Sequence, residues 1–363
     1  MSPASAPRVR MKEHSEVIAE IGVNHGGDPE LACRMINAAA ASGADAVKFQ
    51  TFRADRLATE RTPKVEYQNR TTEAGQSHRE MLRALELSED GHRQVFGHCR
   101  GVGIEFISTP YDPESVDLLE ALGVERYKVA SADLVDLFLL ERLARTGKPI
   151  LLSVGMATMG EVETALGVLE HHRCGPVTLL HCVSNYPCAD ESLNLSVIPT
   201  LRRAFGRDVG YSDHSRGPLA AAMAVALGAT VIEKHFTLDR SADGPDHAAS
   251  DTPEQFADLV HHVRRAETML GVAVKRCQDE ERQMARVSRK SLTLTRDVKT
   301  GERLTREHFR LMRPGTRLPA AVLDQVVGRT AGTDLDAGHQ IDWGDVGPVV
   351  DSPGDRDGAA GSA

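Results

Sequence analysis

The chain of 363 residues has no surplus of basic side chains: 43 lysines and arginines face 52 acidic residues, a formal net charge of −9. General nucleic-acid binding needs cations to neutralise phosphates and is excluded, which leaves room only for a local basic pocket. No apolar run approaches the roughly 20 residues that a bilayer span requires. The amino terminus, "MSPASAPRVRMKEHSE", has no apolar core and does not read as a signal peptide. No CxxC pair or regular framework joins the six cysteines at 33, 99, 174, 182, 188 and 277, so the thiols read as reduced and individually placed. Cys182 and Cys188 flank a proline-containing turn where a metal is conceivable, but buried inert thiols are the simpler reading. These absences together lead to the expectation of a soluble, cytoplasmic protein.

What is present is a rhythm. Short apolar segments ending in polar residues alternate with Ala/Leu-rich helical patterns. The expected strands are 16–22, 45–50, 104–110, 126–131, 149–155, 177–183, 208–214 and 230–236. Eight such units in about 250 residues match a (β/α)8 TIM barrel. A doubly wound open sheet is the alternative, weakened because "GVNHGG" after the first strand is no GxGxxG fingerprint. The connection between the second and third strands is too long for one helix and reads as a loop or extra helix over the barrel mouth.

The expected domains are a flexible 1–15, a barrel over 16–277 and a charged linker at 278–288. A small strand-rich domain follows at 289–347, then a disordered tail at 348–363. A domain of about 60 residues is marginal alone and gains from packing against something else.

In a barrel of this kind, side chains at the carboxyl ends of the strands converge on one mouth. Those ends carry Glu20, Lys48, Gln50, Thr109, Lys128, Ser131, Ser153, Tyr186, Ser212, His214, Glu233 and His235. Side chains alternate along a strand, so Glu233 and His235 face the mouth while Lys234 points to the helix layer, where it is expected to snorkel. His214 and His235 end consecutive strands about 4.8 Å apart. Two neutral imidazoles there either share a divalent ion, leaving positions open for water and substrate, or are hydrogen-bonded core histidines. Lys48 and Lys128, with the hydroxyls around them, suit a multiply charged anion such as a phosphorylated carboxylate; alternatively a lysine merely pairs with Glu20 or Glu233. The doublets His171-His172 and His261-His262 read as solvated helix positions.

Seven stretches in order, "IAEIGVNHGG", "AVKFQTF", "YKVASADL", "LLSVGMAT", "LLHCVSNYP", "GYSDHS" and "IEKHFTLD…GPDHAAS", resemble the sialic acid synthases. "RKSLTLTRDVKTGERLTREHFRLMRPGTRLP" resembles their carboxyl-terminal antifreeze-like (SAF) domain. The resemblance spans about residues 16–346. It implies condensation of phosphoenolpyruvate with an N-acetylated hexose to a nine-carbon acid. It implies a divalent metal, Mn2+ or Mg2+, on His214 and His235, and phosphoenolpyruvate held by Lys48, Thr109, Lys128, Ser131, Ser153 and Ser212. Sugar contacts are implied for Gln50, Asp133, Ser184, Tyr186, Asp246 and Arg313, the last reaching across a domain-swapped homodimer. Catalytic roles fall to Glu20, Lys48, Lys128 and Glu233, with Glu20 orienting or deprotonating the attacking water. Ser184 and Asp133 are shorter than the Asn and Glu of some family members. The pattern looks closer to members that make legionaminic or pseudaminic acid, or to the spore-coat polysaccharide proteins. A barrel enzyme making seven- or eight-carbon acids from phosphorylated sugars would need a second basic cluster, which the strand ends lack. A non-catalytic carbohydrate-binding module would not need Lys48, Lys128, His214 and His235.

Overall fold

Eight parallel strands close on themselves in sequence order: β1 (Glu16–Gly22), β2 (Ala46–Thr51), β3 (Glu105–Pro110), β4 (Tyr127–Val129), β5 (Ile150–Ser153), β6 (Val177–His181), β7 (Val209–Asp213) and β8 (Val231–His235). The computed structural model describes residues 14–65, 68, 72 and 75–349. β8 pairs with β1, placing His235 beside Glu20, and β1 pairs with β2, placing Glu20 beside Lys48. This closure rules out the open doubly wound sheet.

The strands are buried on both faces, which is why they read as near-continuous apolar runs. Ile18, Ala46, Ile107, Leu151, Leu180 and Val231 fill the barrel interior. A larger apolar layer joins the outer strand faces to the helices, with Val17, Phe49, Tyr127, Leu152, Tyr211 and Phe236 among its members. Helices start where a capping side chain meets an apolar pattern: Asp28 before 29–41, Asp112 before 113–122, Thr158 before 159–171 and Thr252 before 253–270.

Among the described residues, the long β2–β3 connection includes the helices Ala54–Leu57, His78–Leu85 and Glu89–Val102. Ser77 and Glu80 form a capping box that fixes the start of the second. Val23, Phe52, Ala54, Ala58, Met81 and Leu82 make a separate small cluster beneath this insertion.

Two compact units divide the chain, one ending at Val272 and the other starting at Ala273. The second contains two antiparallel pairs: β9 (Ser291–Leu294) with β10 (Phe309–Met312), and β11 (Arg329–Ala331) with β12 (Val346–Val349). Its own core gathers Leu292, Leu294, Val298, Leu304, Val326 and Ile341. Residues 279–281 form a 3-10 turn and 282–288 an α-helix, so the stretch expected as a linker is largely helical. The expected tail from 348 is corrected at its start, since Pro348 and Val349 belong to β12; residues 350–363 lie outside the described residues. The expected flexible segment 1–15 is likewise corrected at its end. Ser15 is buried, its hydroxyl donating to the Ala229 carbonyl, while residues 1–13 lie outside the described residues.

Candidate active site at the barrel mouth

The carboxyl ends of the strands surround a cavity of about 380 Å³. Its wall includes Glu20, Lys48, Gln50, Lys128, Ser131, Ser153, Ser184, Tyr186, Ser212, His214, Glu233, His235 and Asp246. Strand alternation and barrel closure thus unite most of the residues singled out from the sequence.

The two lysines are not a bare cationic floor. Lys48 Nζ lies 2.5 Å from Glu20 Oε1, and Lys128 Nζ lies 3.5 Å from Glu233 Oε1. Both lysines thus meet the alternative read from the sequence, pairing with Glu20 or Glu233: each ammonium has a buried carboxyl neighbour. Gln50 Nε2 also donates to Glu20 Oε1, at 3.1 Å, while Glu20 Oε2 is buried without a partner. Gly22 makes this corner possible. It turns the chain at φ +58°, and a Cβ there would come within 2.9 Å of Glu20 Oε1.

The two carboxyl groups shift in opposite directions. Burial pushes Glu20 up to about 7, with Lys48 pulling it partly back and Glu233 adding to the rise. Burial alone would raise Glu233 as well, but Lys128, Lys48 and the Ser212 hydrogen bond outweigh it and hold Glu233 down at about 2. Glu20 therefore exchanges its proton near neutral pH while Glu233 stays ionised.

His214 Nδ1 donates to the Val183 carbonyl at 2.7 Å, which leaves Nε2 as a lone-pair donor. Ser212 Oγ lies 3.5 Å from that Nε2 and donates to Glu233 Oε1 at 2.8 Å. The His214 and His235 rings sit 5.5 Å apart, and Tyr186 packs 4.2 Å from the first and 5.4 Å from the second. His235 Nδ1 is buried without a hydrogen-bond partner, 3.9 Å from Asp246 Oδ2. Burial lowers His214 to about 4, and burial with the neighbouring His214 lowers His235 well below its usual value. Both rings are neutral at physiological pH, the form that binds metal. Two neutral imidazoles with a free nitrogen on each fit a divalent ion. Among the described residues no three His, Cys, Asp or Glu side chains gather closely enough to hold one. Further ligands would therefore have to be water or substrate oxygens.

Ser131 Oγ accepts from the Gly155 amide at 3.0 Å and lies 3.1 Å from Cys182 Sγ. A Cβ on Gly155 would stand 2.6–2.8 Å from Ser184 Oγ, Cys182 Sγ and Ser131 Oγ, so only glycine lets these three groups converge. Cys182 and Cys188 have different partners, Ser131 and the Ala189 carbonyl.

Three assignments fall outside the cavity wall. Thr109 is fully buried with its Oγ1 unpartnered. Asp133 lies on the 3-10 turn 131–135; burial, reinforced by Asp136, pushes its carboxyl up to about 7. Arg313 belongs to the second unit, where its Nε donates to the Ser288 carbonyl. Lys234 does not snorkel: it is 1% exposed and ion-paired with Asp213 at 3.0 Å, because the layer it enters supplies a carboxylate. The sequence reading missed Tyr111, Met156 and Cys182 on the wall, together with His78, Met81 and Leu85 from the insertion. Tyr111 was within reach, being two residues beyond Thr109 on the same strand parity; its hydroxyl donates to Gln50 Oε1 at 3.3 Å. No helix among the described residues is long and apolar enough to cross a membrane.

Known proteins resemble this chain in sequence and fold. The NeuB family profile matches residues 35–275 and the SAF domain profile residues 289–347. An N,N'-diacetyllegionaminic acid synthase of Legionella pneumophila is 42% identical, over 90% of this chain and 93% of its own length. A pseudaminic acid synthase of Campylobacter jejuni is 34% identical, over 91% of this chain and 96% of its own. The crystal structure of an N-acetylneuraminic acid synthetase from Leptospira borgpetersenii, in complex with citrate, is 35% identical. It superposes with a TM-score of 0.68, over 75% of this chain and 90% of its own.

Proposed function

Because the chain belongs to the NeuB family and carries a SAF domain, we propose that it is a nonulosonic acid synthase. It condenses phosphoenolpyruvate with an N-acetylated hexose, releasing phosphate. The observation that carries this reading is the convergence of Lys48, Lys128 and two neutral imidazoles on one cavity. Its 42% identity to a diacetyllegionaminic acid synthase supports a 2,4-diacetamido-6-deoxyhexose as acceptor.

Lys48 and Lys128 hold the carboxylate and phosphate of phosphoenolpyruvate, with Ser131, Ser153 and Ser212 donating hydroxyls; Thr109, buried behind the wall, supports them. Gln50, Ser184, Tyr186 and Asp246 orient the open-chain sugar, with Asp133 behind them. A divalent ion on His214 and His235, Mn2+ or Mg2+, supplies Lewis acidity toward the sugar aldehyde. Carbon 3 of phosphoenolpyruvate then bonds to the aldehyde carbon, the aldehyde oxygen takes a proton from solvent to become a hydroxyl, and positive charge develops at carbon 2. Water adds there as Glu20 takes its proton. Collapse of the resulting hemiketal phosphate breaks the C–O bond, expels phosphate and leaves a ketone, the hydroxyl proton passing to solvent. Glu233 stays ionised, balances Lys128 and holds Ser212 beside His214. In the homodimer of this reading, Arg313 of the partner subunit contacts the acetamido end of the sugar.

The test is phosphate release from phosphoenolpyruvate with Mn2+ and a panel of phosphorylated and unphosphorylated N-acetylated hexoses, with product mass determined. Release with a diacetamido sugar, and a product heavier than it by one pyruvic acid, is the expected result. A flat response across the panel would favour a carbohydrate-binding role.

A further inference from the structure

On β8, Lys234 stands between Glu233 and His235 and points away from the cavity. Burying an ammonium costs several kcal/mol unless it is well paired, and an apolar pair of similar volume would stabilise the barrel at least as well. The pairing therefore needs a reason beyond stability, and its geometry offers one.

β7 and β8 are in register at Ser212 with Glu233 and at Asp213 with Lys234. The first pair is bonded on the cavity face, Ser212 Oγ to Glu233 Oε1 at 2.8 Å. The second is bonded on the outer face, Lys234 Nζ to Asp213 Oδ2 at 3.0 Å. The next residue in the chain is an imidazole in each case, His214 just past β7 and His235 at the end of β8. Lys234 Nζ also donates to the Ser215 carbonyl. Asp213 Oδ1 accepts from the Ser215 amide at 2.8 Å and from its hydroxyl at 2.7 Å. Both neighbours of His214 are thus tied to the residue preceding His235, and every partner is nearly excluded from solvent. Backbone bonds finish the job, Cys188 N to the His214 carbonyl at 2.8 Å and Asp251 N to that of His235 at 2.9 Å.

We propose that the buried Lys234–Asp213–Ser215 network is a positioning device that sets the separation and aim of His214 and His235 for a shared divalent ion. The inference rests on the metal reading given under Proposed function. Lys234 and Asp213 touch no substrate in it; they act through the imidazoles. Partners one step removed from metal ligands typically govern 10–100-fold in affinity.

The full chain is titrated with Mn2+ alone, free ion being read by electron paramagnetic resonance, with thermal midpoints measured on the metal-free protein. The variants are Lys234→Met, Asp213→Asn and the doubly apolar Lys234→Met/Asp213→Leu. Asp213→Asn keeps size and Ser215 contacts, so it remains informative if Lys234→Met fails to fold. Expected is at least tenfold weaker Mn2+ binding in Asp213→Asn and in any folded Lys234→Met. The double variant recovers its thermal midpoint but not its affinity, since apolar contact has no directional lock. Mn2+ affinity within twofold of wild type in Asp213→Asn, or in the double variant, would overturn the proposal whatever the thermal midpoints do. A wild-type chain that binds no Mn2+ would instead overturn the metal reading beneath it.

Discussion

Glu20 meets two requirements at once. It contacts Lys48 and Gln50 through Oε1 while Oε2 is buried and free, and burial brings its proton affinity up to about 7. A base must shed its proton before it can accept one, so turnover falls as pH drops below about 7. General-base help is worth roughly 10²–10⁴-fold. Glu20→Gln should accordingly lower kcat at least 100-fold and flatten that acidic limb in a pH–rate profile; a loss under tenfold would remove Glu20 from the role. Tyr111 acts at one remove. Burial holds its phenol well above the usual range, so it remains a donor to Gln50 and fixes which way that amide faces. Tyr111→Phe should raise the KM of the acceptor sugar several-fold and leave that of phosphoenolpyruvate within twofold, as steady-state kinetics would report.

Among the elements, the turn after β5 is the tightest part of the site. Gly155→Ala would push a methyl into Ser131, Cys182 and Ser184. The KM for phosphoenolpyruvate should rise at least tenfold while the far-ultraviolet circular dichroism spectrum is unchanged. Much at this scale was legible beforehand. Period-two alternation placed Glu233 with His235 and turned Lys234 away, because a strand has only two faces. The partner of Lys234 was not legible. Asp213 meets it through the register between β7 and β8, and register follows from how the whole barrel closes, not from either strand. The insertion residues His78, Met81 and Leu85 were missed for a different reason. They reach the cavity from a helix outside the β/α rhythm, where nothing in the pattern says which face looks inward. Asp133 and Thr109 show the converse limit: a polar residue near a strand end can sit behind the wall as well as on it.

At the scale of the whole molecule, the second unit has a core that comprises, among the described residues, nine buried apolar side chains. So small a core gives limited stability alone, which accords with an assembly in which that unit is supported by a second chain. Sedimentation should therefore show a dimer. Arg313→Ala should raise the KM for the N-acetylated sugar at least tenfold with that for phosphoenolpyruvate little changed, and a parallel rise in both would count against its role at the acetamido end.

The most direct test of the central claim follows the bridging oxygen. Phosphoenolpyruvate carrying 18O between carbon 2 and phosphorus is incubated with the enzyme, Mn2+ and a 2,4-diacetamido-6-deoxyhexose, and both products are weighed by mass spectrometry. Carbon–oxygen cleavage predicts labelled phosphate and an unlabelled nonulosonic acid in equal amounts. Unlabelled phosphate, or phosphate with no nine-carbon acid beside it, would contradict the account.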